Sequence, residues 1–266
     1  MRRVHGILFV LLLTRLAAAQ PERPRITWPD GIQAAVSLSF DDARYSQVDV
    51  GTAVLDKHGY KATFYLVPSR AAERLDGWKA AVAAGHEIGN HSINHPCTGN
   101  FVWISDNALE AYSMDRMRGE LVETNRLIEE MLGVSPVSFA YPCGMTFIGR
   151  GRNTQSYVPL IDELFLTGRG WLDEGPNDPL RADMAQLLGM EMDGKEFDAI
   201  EDLIDFAKTY NSWLVLAGHE IGSSGKQTTH VTMLEDLMTY AADPANGIWL
   251  APVGEVARYV IAQRGR

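Results

Sequence analysis

The chain has 266 residues, of which 46% are hydrophobic, with 34 acids against 24 lysines and arginines and a net charge of −10. Such acidity argues against nucleic acid and anionic lipid surfaces as main partners, since both reward basic patches. The apolar fraction supplies a full core and argues against a disordered chain.

The first residues read as a secretory leader: Met1-Arg2-Arg3, the apolar run Ile7 to Leu13, then Leu16-Ala17-Ala18-Ala19-Gln20. Cleavage is expected after Ala19, and the run is short for a membrane span of roughly 20 residues. Removing residues 1–19 takes away Arg2, Arg3 and Arg15 and no acids, so the remainder would carry −13. An exported protein, secreted or periplasmic, is the expectation, without stable membrane insertion. Gln20 to Asp30 holds three prolines, and residues 20–31 read as a lead-in arm. Residues 32–266, with no repeat or internal linker, read as the catalytic domain. About 245 residues suit one α/β barrel or two small domains.

Ala34 to Phe40 is a predicted first strand, bounded by Gly31 and an aspartate pair. Val48 to His58 is a predicted helix closed by Gly59. Ala62 to Val67 follows as a strand stopped by Pro68, then an alanine-rich helix from Ala71 to Ala84, then a short strand from His86 to Gly89. Met117, Leu121, Asn125, Ile128 and Met131 or Leu132 share a face of a helix ending at Leu132. Val137 to Ala140 and Leu164 to Thr167 are the fourth and fifth predicted strands. Leu187 to Met192 is a further strand in a poorly patterned middle. Ile200, Leu203, Ile204, Ala207 and Tyr210 form a helical stripe. Trp213 to Ala217 is a buried strand, Val231 to Ala242 a helix, Ile248 to Ala251 a strand and Val253 to Ala262 a closing helix.

Strands alternating with helices imply a parallel sheet with crossover helices. Asp41 and Asp42 follow the first strand, His91 the third, Tyr141 to Gly144 the fourth, Arg169 the fifth, and His219 the strand Trp213 to Ala217. Residues just past the C-terminal ends of five strands converge on one rim of a barrel, whereas an open sheet gathers them only near its switch point. The expected fold class is therefore α/β, a distorted (β/α) barrel of about seven parallel strands.

His91 and His95, four apart, would lie on one side of a helical turn that Pro96 ends. Two neutral imidazoles with one carboxylate, Asp42, make a site for a divalent metal with open positions. Zinc suits these donors best, with cobalt, manganese, nickel or iron as alternatives. Asp41 is then free to take a proton from water, and His219 to give one to a leaving amine.

Ser39-Phe40-Asp41-Asp42-Ala43, His91-x-x-x-His95, Phe139-Ala140-Tyr141-Pro142-Cys143-Gly144 and Leu214-Val215-Leu216-Ala217-Gly218-His219 resemble, in order, the motifs of the polysaccharide deacetylases. This is the NodB-homology family, carbohydrate esterase family four. The resemblance implies a distorted (β/α) barrel and metal-dependent removal of N- or O-acetyl groups from an acetylated glycan. It also implies Asp41 as base, Asp42, His91 and His95 as ligands, and His219 as acid. Tyr141, Pro142, Cys143 and Arg169 are expected around the oxyanion or substrate. The chain departs from the family pattern in three places. The family's Asp-Asp-Gly is Asp-Asp-Ala; Ala140 stands where an arginine steadies the base; and Cys143 stands where a tyrosine is usual. A main-chain N–H at Cys143 would serve the oxyanion equally well. Arg169, past the next strand, could replace the missing arginine, or be a surface arginine. Asp173, Asp178, Asp183 and Asp193 are all candidates for the aspartate that orients His219.

Cys97 and Cys143 are the only cysteines, and the leader implies an oxidising compartment, so a disulfide on the rim is expected. Two free buried thiols, or Cys143 as a soft metal ligand, remain open. His86 reads as part of a buried turn, His58 and His230 as surface residues, and Trp213 and Trp249 as core. Trp103 could stack on a sugar ring or sit in the core. Other functions compatible with the pattern are hydrolysis of a cyclic ureide or imide, carbohydrate binding without catalysis, and an iron oxygenase. Oligomeric state is not encoded in any pattern seen here.

Overall fold

The computed structural model describes residues 24–104 and 106–265. The expected leader, 1–19, and the arm up to residue 23 lie outside the described residues. The strands are β1 (Ala34–Phe40), β2 (Thr63–Leu66), β3 (Glu87–Asn90), β4 (Ser138–Ala140), β5 (Phe147–Ile148), β6 (Gln155–Ser156), β7 (Thr167–Arg169), β8 (Met190–Glu191), β9 (Trp213–Gly218), β10 (Glu220–Gly222), β11 (Thr228–His230) and β12 (Ile248–Leu250). The helices are α1 (Thr52–Lys57), α2 (Pro68–Ala72), α3 (Leu75–Ala84), α4 (Met114–Leu132), α5 (Val158–Leu164), α6 (Phe197–Tyr210), α7 (Val231–Ala242) and α8 (Val253–Arg264).

The main sheet is parallel, in the order β7-β4-β3-β2-β1-β9-β8, with β12 beside the N-terminal half of β1. One segment draws its two ends together. The Leu187 N–H donates to Gly168 O at 2.7 Å and the Gly170 N–H to Leu187 O at 2.7 Å, while β8, three residues on, pairs with β9. The result is the distorted barrel expected. β5 and β6 form an antiparallel hairpin, and β10 and β11 a separate small pair.

β1 is buried at all seven positions because both faces are covered. Its alternation still decides direction. Val36, Leu38 and Phe40 pack outward with Leu55, Trp78, Ile204 and Leu234 of the surrounding helices. Ala35, Ser37 and Ser39 face the interior, where Ser37 Oγ accepts from Trp213 Nε1 at 3.0 Å. Below, Ile26 and Trp28 of the arm and Val253, Val256 and Val260 of α8 close the barrel floor.

Several boundaries differ from expectation. The fifth strand is Thr167–Arg169 rather than Leu164 to Thr167, because Val158–Leu164 forms a helix with a proline in its first turn. The helix expected over Ala71 to Ala84 is broken at Arg74 (φ −134°, ψ 39°). The long amphipathic helix starts earlier, at Met114, where Ser113 caps it by accepting from the Arg116 N–H. The first crossover opens with a wide π turn, Gln47–Gly51. Tyr210 is 50% exposed, at the end of its stripe. Trp249 is half-buried, packed edge-on against Trp28 and Tyr259.

Candidate active site

The strand parity that sorts β1 also aims the site. Asp41 continues the inward series Ala35, Ser37, Ser39. His219 continues Trp213, Val215, Ala217, and His91 continues from Gly89. Asp42, one step out of phase, is left-handed (φ 78°), as is Ala43 (φ 53°). That turn carries its carboxylate to the histidines instead of into the core.

Asp41, Asp42, His91, His95, Cys143 and His219 all line one open cleft of about 620 Å³. His91 Nε2 lies 3.4 Å and His95 Nε2 3.3 Å from Asp42 Oδ1, and the donor atoms of the three residues lie within 4.8 Å of one another. The two histidines do not sit on a helical turn. The Asn90 Oδ1 accepts from the Ser92 N–H at 2.8 Å, and Ser92 Oγ from the His95 N–H at 3.1 Å. With Ser92 and His95 left-handed, the loop doubles back and brings the rings to 4.7 Å between centroids. Buried Glu120 of α4 anchors that loop, accepting from the Asn94 N–H (2.9 Å), Asn94 Nδ2 (3.1 Å) and Tyr112 OH (2.8 Å).

His91 Nδ1 lies 2.9 Å from Ala140 O. A carbonyl can only accept, so in the neutral ring Nδ1 carries the proton and Nε2 turns a bare lone pair toward Asp42. Burial, reinforced by His91, pushes His95 down to about 4, so its ring is neutral at neutral pH. Burial favours a neutral Asp42, but the hydrogen bond from His91 and the charges of the His91 and His95 rings whenever these carry an extra proton, and the Arg44 charge throughout, outweigh it and hold the carboxyl well below its ordinary value. Converging lone pairs repel unless a cation lies among them. Two imidazoles and a carboxylate thus fit a divalent metal ion with open positions.

Arg169 is wholly buried, and its Nη2 donates to Asp41 Oδ1. It is not a surface arginine. Ala140 and Arg169 are register partners on adjacent strands, so the guanidinium enters the same layer from the neighbouring strand. His219 Nδ1 lies 2.7 Å from Asp193 Oδ2, and Asp193 Oδ1 accepts from the His219 N–H at 3.2 Å and Thr229 Oγ1 at 2.7 Å. Of the four candidate aspartates, Asp193 is therefore the partner. Burial opposes a charged His219, but the Asp193 hydrogen bond and the charges of Asp41, Asp42 and Asp193 prevail and raise its pKa. Trp171 packs edge-on against its ring at 4.8 Å.

The expected substrate set divides. Cys143 lines the cleft, but Tyr141 does not: its ring is in the core and its OH donates to Ala185 O at 2.7 Å. Pro142 is buried, and Arg169 reaches the cleft only through Asp41. Gly144, left-handed (φ 68°), lies against Trp171, where a Cβ would come within 3.1 Å of main-chain atoms. Trp103 is 70% exposed, stacked on Phe101 at 4.6 Å on the cleft wall, and is not a core residue.

Residues missed in the sequence are Gln47, Arg44 and Arg70. Gln47 Nε2 donates to Asp41 O (2.7 Å) and His219 O (2.9 Å), tying the two sides together. Arg44 donates to Asp42 Oδ2 from Nε (3.0 Å) and Nη2 (2.8 Å), and Arg70 Nη1 lies 3.5 Å away. Only the nearness of Arg44 to Asp42 in the chain hinted at any of this.

Cys97 and Cys143 form a disulfide, with Cα atoms 5.8 Å apart. Their sulfurs are bonded to each other, so neither is a thiolate ligand. The bridge joins the histidine loop to the loop after β4 across 46 residues, a closure worth about 2–4 kcal/mol. Denatured, unreduced protein should show no titratable thiol; two would rule the bridge out.

The model of the polysaccharide deacetylase family matches residues 30–153. A peptidoglycan-N-acetylglucosamine deacetylase from Bacillus cereus is 29% identical over 115 residues, 42% of this chain and 37% of that protein. A gellan lyase from Bacillus sp is 23% identical over 256 residues, 87% of this chain but 10% of that protein. The chain thus spans well under half the length of these curated relatives. The crystal structure of a candidate polysaccharide deacetylase from Mycobacterium smegmatis superposes with a TM-score of 0.64 at 17% identity, over 92% of this chain and 96% of that one. At that identity the likeness shows the fold alone. Ordered motifs, barrel and family match agree that residues 30–153 carry a polysaccharide deacetylase domain, of the NodB-homology group of carbohydrate esterase family four.

Proposed function

We propose that this protein is an exported, metal-dependent deacetylase that hydrolyses N-acetyl groups, and by the same route O-acetyl groups, of a glycan. The catalytic unit on this reading is residues 32–266. One observation carries it: a carboxylate held by a buried arginine and a histidine held by a carboxylate line the cleft that also holds the metal donors. Export rests on the expected leader and on the disulfide, which persists in oxidising compartments.

When bound by Asp42, His91 and His95, a divalent metal, most reasonably zinc, supplies acidification of water and polarisation of the acyl oxygen. Asp41, oriented by Arg169, takes the proton of the attacking water. Cys143 lines the cleft, and its main-chain N–H would serve the oxygen on which charge develops. His219, kept protonated by Asp193, gives its proton to the departing nitrogen as the C–N bond breaks. The stacked Phe101 and Trp103 offer an apolar face to a sugar ring.

Acetate release from chitooligosaccharides, peptidoglycan and acetylated xylan, with metal analysis of the same preparation, tests the reading. Release from none of them, with binding retained, would favour a carbohydrate-binding protein instead. His219→Ala should keep metal and lower turnover on an amide about a hundredfold. Asp193→Asn should move the alkaline limb of the kcat profile to lower pH. Without that carboxylate the His219 pKa falls, and the acid is lost sooner as pH rises. An unmoved limb would sink the role of Asp193.

A further inference from the structure

The chain is strongly acidic, yet two arginines, Arg44 and Arg70, stand on the wall of the cleft. Arg44 is spent: it grips Asp42 Oδ2 with two nitrogens, and its Nη1 lies 3.8 Å from Glu220 Oε1. Arg70 is not. Its side chain is 45% exposed, and among the described residues its one ion-pair contact is Asp42 Oδ2 at 3.5 Å, an oxygen already holding Arg44. A guanidinium has five N–H donors in a planar fork suited to a carboxylate. Most of that fork is unused, and it stands in the same cleft as the Phe101–Trp103 platform and the reacting groups.

Building on the deacetylase reading, we infer that Arg70 is a specificity-determining residue that receives a carboxylate of the glycan, so the substrate is an anionic rather than a neutral acetylated sugar. The carboxylate could be an ether-linked lactyl group on the acetylated sugar itself, or a uronic acid next to it. Both present the same two oxygens to the same fork. A neutral glycan would leave the fork to water, and an arginine needed only to balance Asp42 would duplicate Arg44.

The test uses the zinc-loaded full chain and three tetrasaccharides. One is chitotetraose; one alternates N-acetylglucosamine with N-acetylmuramic acid; one alternates N-acetylglucosamine with glucuronate. The readout is the ratio of kcat/KM for each carboxylated substrate to that for chitotetraose, in wild type, Arg70→Gln and Arg70→Lys. The wild-type ratio should exceed ten for one carboxylated arm, and that arm identifies the source of the carboxylate. Arg70→Gln should lower the ratio at least tenfold, and Arg70→Lys should restore part of it. A loss common to all substrates cancels in the ratio. An unchanged ratio in Arg70→Gln, or a wild-type ratio near one, would therefore overturn the inference. Calorimetric binding to the Asp41→Asn protein separates the two readings. A preference for the carboxylated sugar there, with no acetate release by wild type, would overturn the catalytic reading and support the recognition. Release with no preference would do the reverse.

Discussion

His91→Ala and His95→Ala should each lose bound metal and activity together, whereas Asp41→Asn should keep the metal and lose activity alone. His91 Nε2 and His95 Nε2 converge on Asp42 Oδ1, all three donor atoms lying within 4.8 Å of one another, so removing either ring leaves two donors where three are needed. Asp41 faces Arg169 instead, and Asn keeps its shape and its hydrogen bond while losing the proton acceptor. A lost general base costs about 10²–10⁴ in rate. Metal content by atomic absorption beside acetate release distinguishes the classes. An active Asp41→Asn, or a His95→Ala protein with full metal content, would contradict this division of roles.

Arg169→Met should be the most destabilising single change in the site. The guanidinium is wholly buried and Asp41 nearly so. Removing one partner leaves a buried charge without its counter-charge, at a cost of about 3–5 kcal/mol. For a chain of this size that is roughly 6–20 °C in Tm. Activity should fall with it, because the base loses its orientation. Urea unfolding of Arg169→Met, Asp41→Asn and the double variant makes the test. The double variant should be less unstable than the two losses added, since the partner charge is gone as well. Simple additivity would mean the pair is not coupled.

The sequence by itself determined the alternation of strands and helices, the placement of reactive residues just past strand ends, and the ordered motifs that mark the family. These are local properties: a strand's period of two and a turn after its last residue are written in a few neighbouring side chains. Asp41, Asp42, His91, His95 and His219 were legible for that reason, although their shared site was only an expectation until the barrel brought them to one cleft. The tertiary structure alone decided who touches whom. Asp193 was one of four equal candidates until the β8–β9 pairing set it against His219. Arg169 reaches Asp41 from the strand beside Ala140 because the two are register partners on β4 and β7, and register depends on how the whole ring of strands closes through Leu187. The histidine loop looked helical by spacing, but backbone N–H groups donating to Asn90 Oδ1 and Ser92 Oγ, with support from Glu120 of α4, bent it another way. Arg70 carried no signal at all, because a position on α2 becomes a cleft wall only when that helix packs beside the strand ends. Contacts between residues distant in the chain are paid for by burial of the whole core, and no local pattern encodes them.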